Sequence, residues 1–227
     1  MITSLEIDLT SNLELLRGRI RRAAERVGRD PAQIHLIGAT KTVPPERVLA
    51  AFRLGVTHFG ENWLQEAEPK VAAIREAGAN PTWHMIGHLQ TNKVNRALAL
   101  FDMIQTVDSM HVAAAIDRRA AGPVSILLEV NVAAEPSKTG FAPEEVPGAF
   151  DRIGQLPHLH VAGLMTVAPL VPDPEEVRPI FRRLATIARG LGLPHLSMGM
   201  TDDFEVALEE GATMIRVGRA LFGERPA

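Results

Sequence analysis

Apolar residues in the first segment recur at helical spacing. Leu9, Leu13, Leu16, Ile20, Ala24 and Val27 fall on one stripe, which predicts a helix over about 5–27. Gly28 stops it, and Asp30 followed by Pro31 makes a turn. From there the pattern changes to short runs rich in Val and Ile, each followed by a longer amphipathic stretch. Eight runs read as strands: 34–40, 56–60, 83–88, 103–107, 124–132, 160–167, 195–197 and 214–218. The stretches between them read as helices near 45–54, 63–77, 91–100, 110–121, 143–156, 174–191 and 203–210, with a short last one after Gly218. Start signals precede several of these, at Pro44 and Pro45, Asp108 and Ser109, Ala142 and Pro143, and Thr201 and Asp202.

Strict alternation of strand and helix implies parallel strands joined by right-handed crossovers. Eight repeats in roughly 200 residues fit an α/β fold of the (β/α)8 or TIM barrel type, here with an extra N-terminal helix. An open doubly wound sheet is the rival, but no dinucleotide glycine fingerprint follows the first strand. The proline-rich stretch 169–174 reads as a barrel loop, not a linker. One domain is therefore expected over 1–227, with the helix in 1–30 and the barrel over 31–223.

Composition narrows the chemistry. Hydrophobic residues make up 46% and charged residues 22%, so the chain can bury enough apolar area to fold. A net charge of −3 gives no pull toward nucleic acid or an anionic membrane. The absence of cysteine excludes disulfides, thiolate nucleophiles and Cys-ligated metals. No apolar run approaches the roughly 18–20 residues that span a bilayer. The charged N-terminus also lacks the apolar stretch of a secretory signal, so a cytoplasmic protein is expected. There is no tyrosine, which closes any mechanism that needs a phenolic acid or base.

In a barrel, function gathers at the C-terminal strand ends. Lys41 ends the first strand, and alternation puts His35, Ile37, Ala39 and Lys41 on one face. If that face points inward, the amine sits at the mouth, poised for imine formation with an aldehyde. A solvated lysine in a strand-to-helix loop is the plainer alternative. Ser197 closes the seventh strand, and Gly218 with Arg219 opens the last short helix, where backbone N–H groups favour an anion. Loops after strands seven and eight form the recurrent phosphate site of this fold, which Ser197 could complete with its hydroxyl. Arg216 shares a face with Met214 and Gly218, where it could meet a ring nitrogen on a ligand or pair internally with Glu129. A lysine, a phosphate cradle and an inward arginine together suggest pyridoxal phosphate. Asn62 either hydrogen-bonds the ligand's phenolic oxygen or imine, or caps the next helix. Alternation puts His84 and His88 on one face, too far apart for one metal ion and suited to packing or facing the ring. Met165 and Thr166 either wall the ring or fill the core. Lys138 sits in the loop after the fifth strand as an anion-attracting or solvated lysine, and Asp202 and Asp203 read as helix caps.

The segments LIGATKTVPPERV, HFGENWLQE, WHMIGHLQTNKV, EVNVAAEPSKTGF, GLMTVAP and SMGMTDDFEVALEEGATMIRVGRALFG carry a family resemblance. The chain resembles the pyridoxal phosphate homeostasis proteins, also called proline synthase co-transcribed homologues, in order from about residue 34 to 223. The resemblance implies the barrel of the alanine racemase type without that enzyme's C-terminal β-domain. It implies that Lys41 holds the cofactor as an internal aldimine and that Ser197 and the backbone of Gly218 and Arg219 cradle the phosphate. Arg216 then stands near the ring nitrogen. Where many relatives have a small hydroxyl residue this chain has Arg219, so only the backbone contact carries over there.

Two functions from different classes follow. An amino-acid racemase needs an acid/base on each face of the cofactor adduct. The racemases of this barrel use a tyrosine from the further domain, and this chain has neither tyrosine nor residues left over for that domain. The resemblance instead implies a monomeric carrier that binds pyridoxal phosphate and buffers or delivers it to apo enzymes. That places it in vitamin B6 and amino-acid homeostasis without turnover of its own. A barrel lysine that forms an imine directly with substrate, as in a class I aldolase, is the third possibility.

Overall fold

The structure, a computed structural model, describes residues 4–224, so the ends of the expected 1–227 unit lie outside the described residues. Eight parallel strands form a closed barrel in sequence order: β1 (His35–Ala39), β2 (His58–Glu61), β3 (Thr82–Met85), β4 (Met103–Val107), β5 (Val124–Glu129), β6 (Leu159–Met165), β7 (His195–Ser197) and β8 (Met214–Val217). The helices are α1 (Ser4–Arg26), α2 (Pro45–Arg53), α3 (Leu64–Glu76), α4 (Val94–Leu100), α5 (Met110–Asp117), α6 (Val146–Ile153), α7 (Arg178–Gly190), α8 (Phe204–Glu209) and α9 (Arg219–Phe222). Parallel strands covered on both faces need apolar residues on both, which is why they read as continuous Val/Ile runs.

Two cores result. Between strands and helices lie Phe59, Trp83, Ile104, Phe181 and Phe204, all essentially without solvent contact. Inside the barrel, Ile37, Leu127, Ala162, Met165 and Met214 form a smaller cluster. Through Ile37 and Met214 that cluster shows the inward face of β1 and of β8, the face expected for these two residues.

The register is not uniform. β4 and β5 shift between Ile104 and Val107, and β5 and β6 shift at Ile126 and Leu127. Each bulge inserts a residue and re-aims its neighbours. The first follows Gln105, which shares the inner face of Met103, and turns Val107 out into the outer core; the second puts Ala162 and Met165 on the same inner face. Gly163, beside the second bulge, lets β6 and β7 approach: a Cβ there would stand 2.0 Å from the His195 carbonyl oxygen. Gly163→Ala is therefore expected to destabilise the fold by about 1–3 kcal/mol through overpacking against backbone, read as a lower urea midpoint with an unchanged slope.

Threonines tie neighbouring strand ends together. The Thr106 hydroxyl donates to Gly87 O at 2.7 Å and the Thr166 hydroxyl to Val130 O at 2.7 Å. The N-terminal helix buries Leu9, Leu13, Leu16, Ile20 and Ala24 as expected, whereas Val27, past its end, is 42% exposed. It packs outside the β8–β1 seam, where Asn12 donates to Leu221 O at 3.2 Å and Arg19 pairs with Glu205 at 2.7 Å. No described helix is long and apolar enough to cross a membrane.

Candidate functional site

Lys41 follows β1 at the C-terminal rim, half-buried, with its Nζ 5.8 Å from the centroid of the exposed Trp63 ring. Among the described residues no carboxylate ion-pairs it. The chain then turns sharply: Thr42 has φ +64, in the left-handed region that a β-branched residue enters at a cost of roughly 1–3 kcal/mol. Its N–H donates to Glu66 Oε2 at 2.9 Å, and its hydroxyl donates to Lys41 O at 2.6 Å. Two hydrogen bonds thus hold the strained turn that points the amine.

The strand end behind Lys41 is braced from outside the barrel. Lys70 on α3 donates to Thr40 O at 2.6 Å and forms a close ion pair with Glu61, which also accepts the Thr40 hydroxyl at 2.6 Å. Glu61 has no solvent contact, and its second oxygen has no hydrogen-bond partner. Burial pushes its carboxyl above the usual range, against the pull of Lys70 and Thr40.

On the neighbouring strand β8, Arg216 is 5% exposed. Its Nη1 donates to Ser197 Oγ at 2.6 Å and its Nη2 to Thr166 O at 2.8 Å. The internal ion pair with Glu129, the alternative weighed for it, is not formed among the described residues. Burial pulls the guanidinium down to about 10, opposed by the more distant charges of Asp203 and Glu129. Next to it Gly218 begins the loop into α9, and a Cβ there would come within 3.3 Å of Ala39 O. The absence of a side chain keeps this corner open.

The other expected residues divide. Asn62 lies half-buried at the rim; it does not cap α3, whose N-cap is Trp63, and Gly87 packs tightly on its backbone. Met165 is buried at the end of β6 and belongs to the inner cluster. Arg219 turns its side chain outward to Asp202 at 2.6 Å, so only its backbone is available at the loop. Ser197 departs from its expected place at an anion: it has no solvent contact, and its hydroxyl donates inward to Gln105 at 2.6 Å while accepting from Arg216. The hydroxyl beside the loop amides is instead that of Thr201, 3.4 Å from Ala220 N. Two hydroxyl residues four apart around one strand end are indistinguishable by type; only the point at which β7 ends separates them.

His84 also departs from a ring-facing position. It is 1% exposed, with its ring nitrogens 3.0 Å from His58 Nδ1 and 3.0 Å from Gln105 Nε2. Burial, with His58 and His35 nearby, pulls it down to about 3. His88 does not share its face, because β3 ends at Met85; it sits exposed on the loop and pairs with Asp108 at 3.1 Å. His88 and Asp108 line an open groove of about 460 Å³ on the β3–β5 side of the rim, together with Ser109 and Thr139. Lys138 is tied down by Glu135 at 2.5 Å and Val167 O at 3.2 Å.

A half-buried amine, an inward guanidinium and a glycine corner with a hydroxyl beside it thus lie on neighbouring strands β1, β7 and β8. Residues 11–226 match the family described as alanine racemase, N-terminal domain. A pyridoxal phosphate homeostasis protein of Aquifex aeolicus is 43% identical over 216 residues, covering 91% of this chain and 94% of its own. Its namesake in Pseudomonas aeruginosa is 40% identical over 222 residues, covering 96% of each. The structure of PipY from Synechococcus elongatus with PLP bound matches with a TM-score of 0.82 at 33% identity, covering 95% of this chain and 100% of that one. An alanine racemase of Clostridium difficile, at 14% identity and TM-score 0.71, is covered over 56% of its length and shares the fold alone. At these identities, over nearly the whole of its curated relatives, the chain belongs to the pyridoxal phosphate homeostasis proteins, within the alanine racemase N-terminal domain family.

Proposed function

We propose that this barrel, with its N-terminal helix, binds pyridoxal phosphate at its mouth and buffers or delivers it to apo enzymes, as a monomer and without robust turnover of its own. The observation that carries this is the pairing of an unpaired rim amine, Lys41, with the side-chain-free corner at Gly218. Bound there, pyridoxal phosphate supplies an aldehyde that condenses reversibly with an amine, releasing water. Lys41 is the amine. The backbone of Gly218 and Arg219 and the Thr201 hydroxyl face the phosphate, Arg216 faces the ring nitrogen, and Asn62 and Met165 border the ring. Ser197 acts by holding Arg216, and His84 stays below the site.

Arg216 also argues for storage over catalysis. A guanidinium donates only, so a ring nitrogen facing it accepts and remains unprotonated, which weakens the ring as an electron sink. A two-base racemase needs a second acid/base, and no tyrosine exists in the sequence to provide the phenolic one.

Borohydride reduction of the protein loaded with pyridoxal phosphate, followed by peptide mass spectrometry, is expected to place the cofactor on the peptide that carries Lys41. Incubation with D- or L-alanine and chiral analysis is expected to show no racemisation above free cofactor. Modification elsewhere overturns the site, and turnover above that background overturns the carrier role.

A further inference from the structure

A line of hydrogen-bonded side chains runs down the barrel axis from Arg216, and nothing in the proposed role uses its lower part. Arg216 donates to Ser197, Ser197 donates to Gln105 Oε1, Gln105 Nε2 faces His84 Nδ1 at 3.0 Å, and His84 Nε2 faces His58 Nδ1 at 3.0 Å. Arg216, Ser197, Gln105 and His84 are all buried.

Proton bookkeeping gives the line one direction. A guanidinium has no acceptor, so the serine oxygen must accept from Arg216 and send its only proton on to Gln105 Oε1. That places the amide nitrogen toward His84. The same nitrogen lies 3.7 Å from Met214 Sδ, an acceptor only, which selects the same orientation of the amide. His84 Nδ1 must then accept, its proton sits on Nε2, and that proton goes to His58 Nδ1. The low proton affinity of the buried His84 agrees with a neutral ring that keeps this lone pair.

Among the described residues Arg216 has no carboxylate partner; its two anchors are the neutral Ser197 hydroxyl and the Thr166 carbonyl. A carbonyl is fixed by backbone, but a hydroxyl rotates. What stops it is the Gln105 carbonyl oxygen, and Gln105 reaches the axis because it shares the inner face of β4 with Met103, two residues before it. We infer that Gln105 is a positioning residue for Arg216, holding the Ser197 oxygen toward the guanidinium that faces the cofactor ring. The inference rests on the proposed role of Arg216.

The test is a double-mutant cycle on full-length protein with pyridoxal phosphate as probe. Gln105→Met keeps the volume and removes the hydrogen bonds to Ser197, His84 and Met214; Ser197→Ala removes the group through which Gln105 acts. Each is expected to weaken pyridoxal phosphate by about tenfold and to shift the pH midpoint of the visible band, and the double variant is expected to be no weaker than either single one. Additive losses, or an unchanged midpoint in Gln105→Met, overturn the inference. If the unmodified protein takes up no pyridoxal phosphate, the proposed role has failed, and the inference with it. If it does and Gln105→Met changes nothing, the inference alone has failed. A second measurement does not depend on the variants folding: long-range ¹H–¹⁵N correlation on the unmodified, cofactor-free protein at neutral pH. It is expected to show His84 protonated on Nε2, and a proton on Nδ1 overturns the chain of donors that the inference requires.

Discussion

Lys41→Ala is expected to abolish the visible absorbance that pyridoxal phosphate gives the wild-type protein, and borohydride should then fix no cofactor to the chain. The expectation comes from comparing the four lysines. Lys70 is buried in its ion pair with Glu61. Lys138 is held by Glu135 and the Val167 carbonyl. Lys93 lies in the turn before α4, away from β1 and β8. Lys41 alone combines a place at the rim with freedom from a carboxylate, and the strained Thr42 turn aims it. Loss of the covalent link leaves the loop amides, Thr201 and Arg216, so phosphate-anchored binding persists about a hundredfold weaker, near 2.7 kcal/mol. Spectrophotometric titration with pyridoxal phosphate, paired with equilibrium dialysis, reads both parts. A band that survives in Lys41→Ala and maps to Lys138 after reduction overturns the assignment.

The second large effect lies behind the site. Lys70→Met leaves Glu61 buried without its counter-charge, and removing one partner of a buried pair costs about 3–5 kcal/mol. The double variant Lys70→Met with Glu61→Gln is expected to recover part of this, because no charge then remains to be buried. The dependence on pH has a definite sign. Burial raises the Glu61 carboxyl above its unfolded value of 4.5, so the native state holds the proton more tightly than the unfolded state. Stability is therefore greatest below the unfolded value and falls as pH rises through the folded one. Without Lys70 the folded value climbs further, so the deficit against wild type is largest at neutral pH and shrinks on acidification. Urea unfolding across that range checks it; a deficit that does not change with pH would show that Glu61 is not the group involved.

The barrel was legible because parallel strands buried on both faces leave continuous Val/Ile runs, and their count reached eight. The places of Lys41, Arg216 and Gly218 at the barrel mouth were legible because all three stand at or just past the ends of strands. What escaped had two causes. Alternation assumes an unbroken period of two, and the bulge in β4 breaks it after Gln105, so Val107 turns outward although it lies four residues from the inward Met103. The same assumption carried His88 onto the face of His84 although β3 stops at Met85. The other cause is pairing across elements: Lys70 and Glu61 meet between a helix and a strand, and each alone reads as an ordinary surface charge. Ser197 and Thr201 show the limit most simply, since only the end of β7 decides which hydroxyl is sealed inside and which is left beside the amides.

The four-residue helix α9 has two employers. Its leading loop faces the mouth, while its carbonyls clasp the outer shell: Leu221 O receives Asn12 of α1, and Phe222 O receives Arg47 of α2 at 2.7 Å. With pyridoxal phosphate held at the Gly218 loop as proposed, occupancy at one end and closure of the last seam at the other form a single linked equilibrium. On that proposal an emptied barrel is the form whose first and last segments separate most readily, and the cargo helps keep its own container shut.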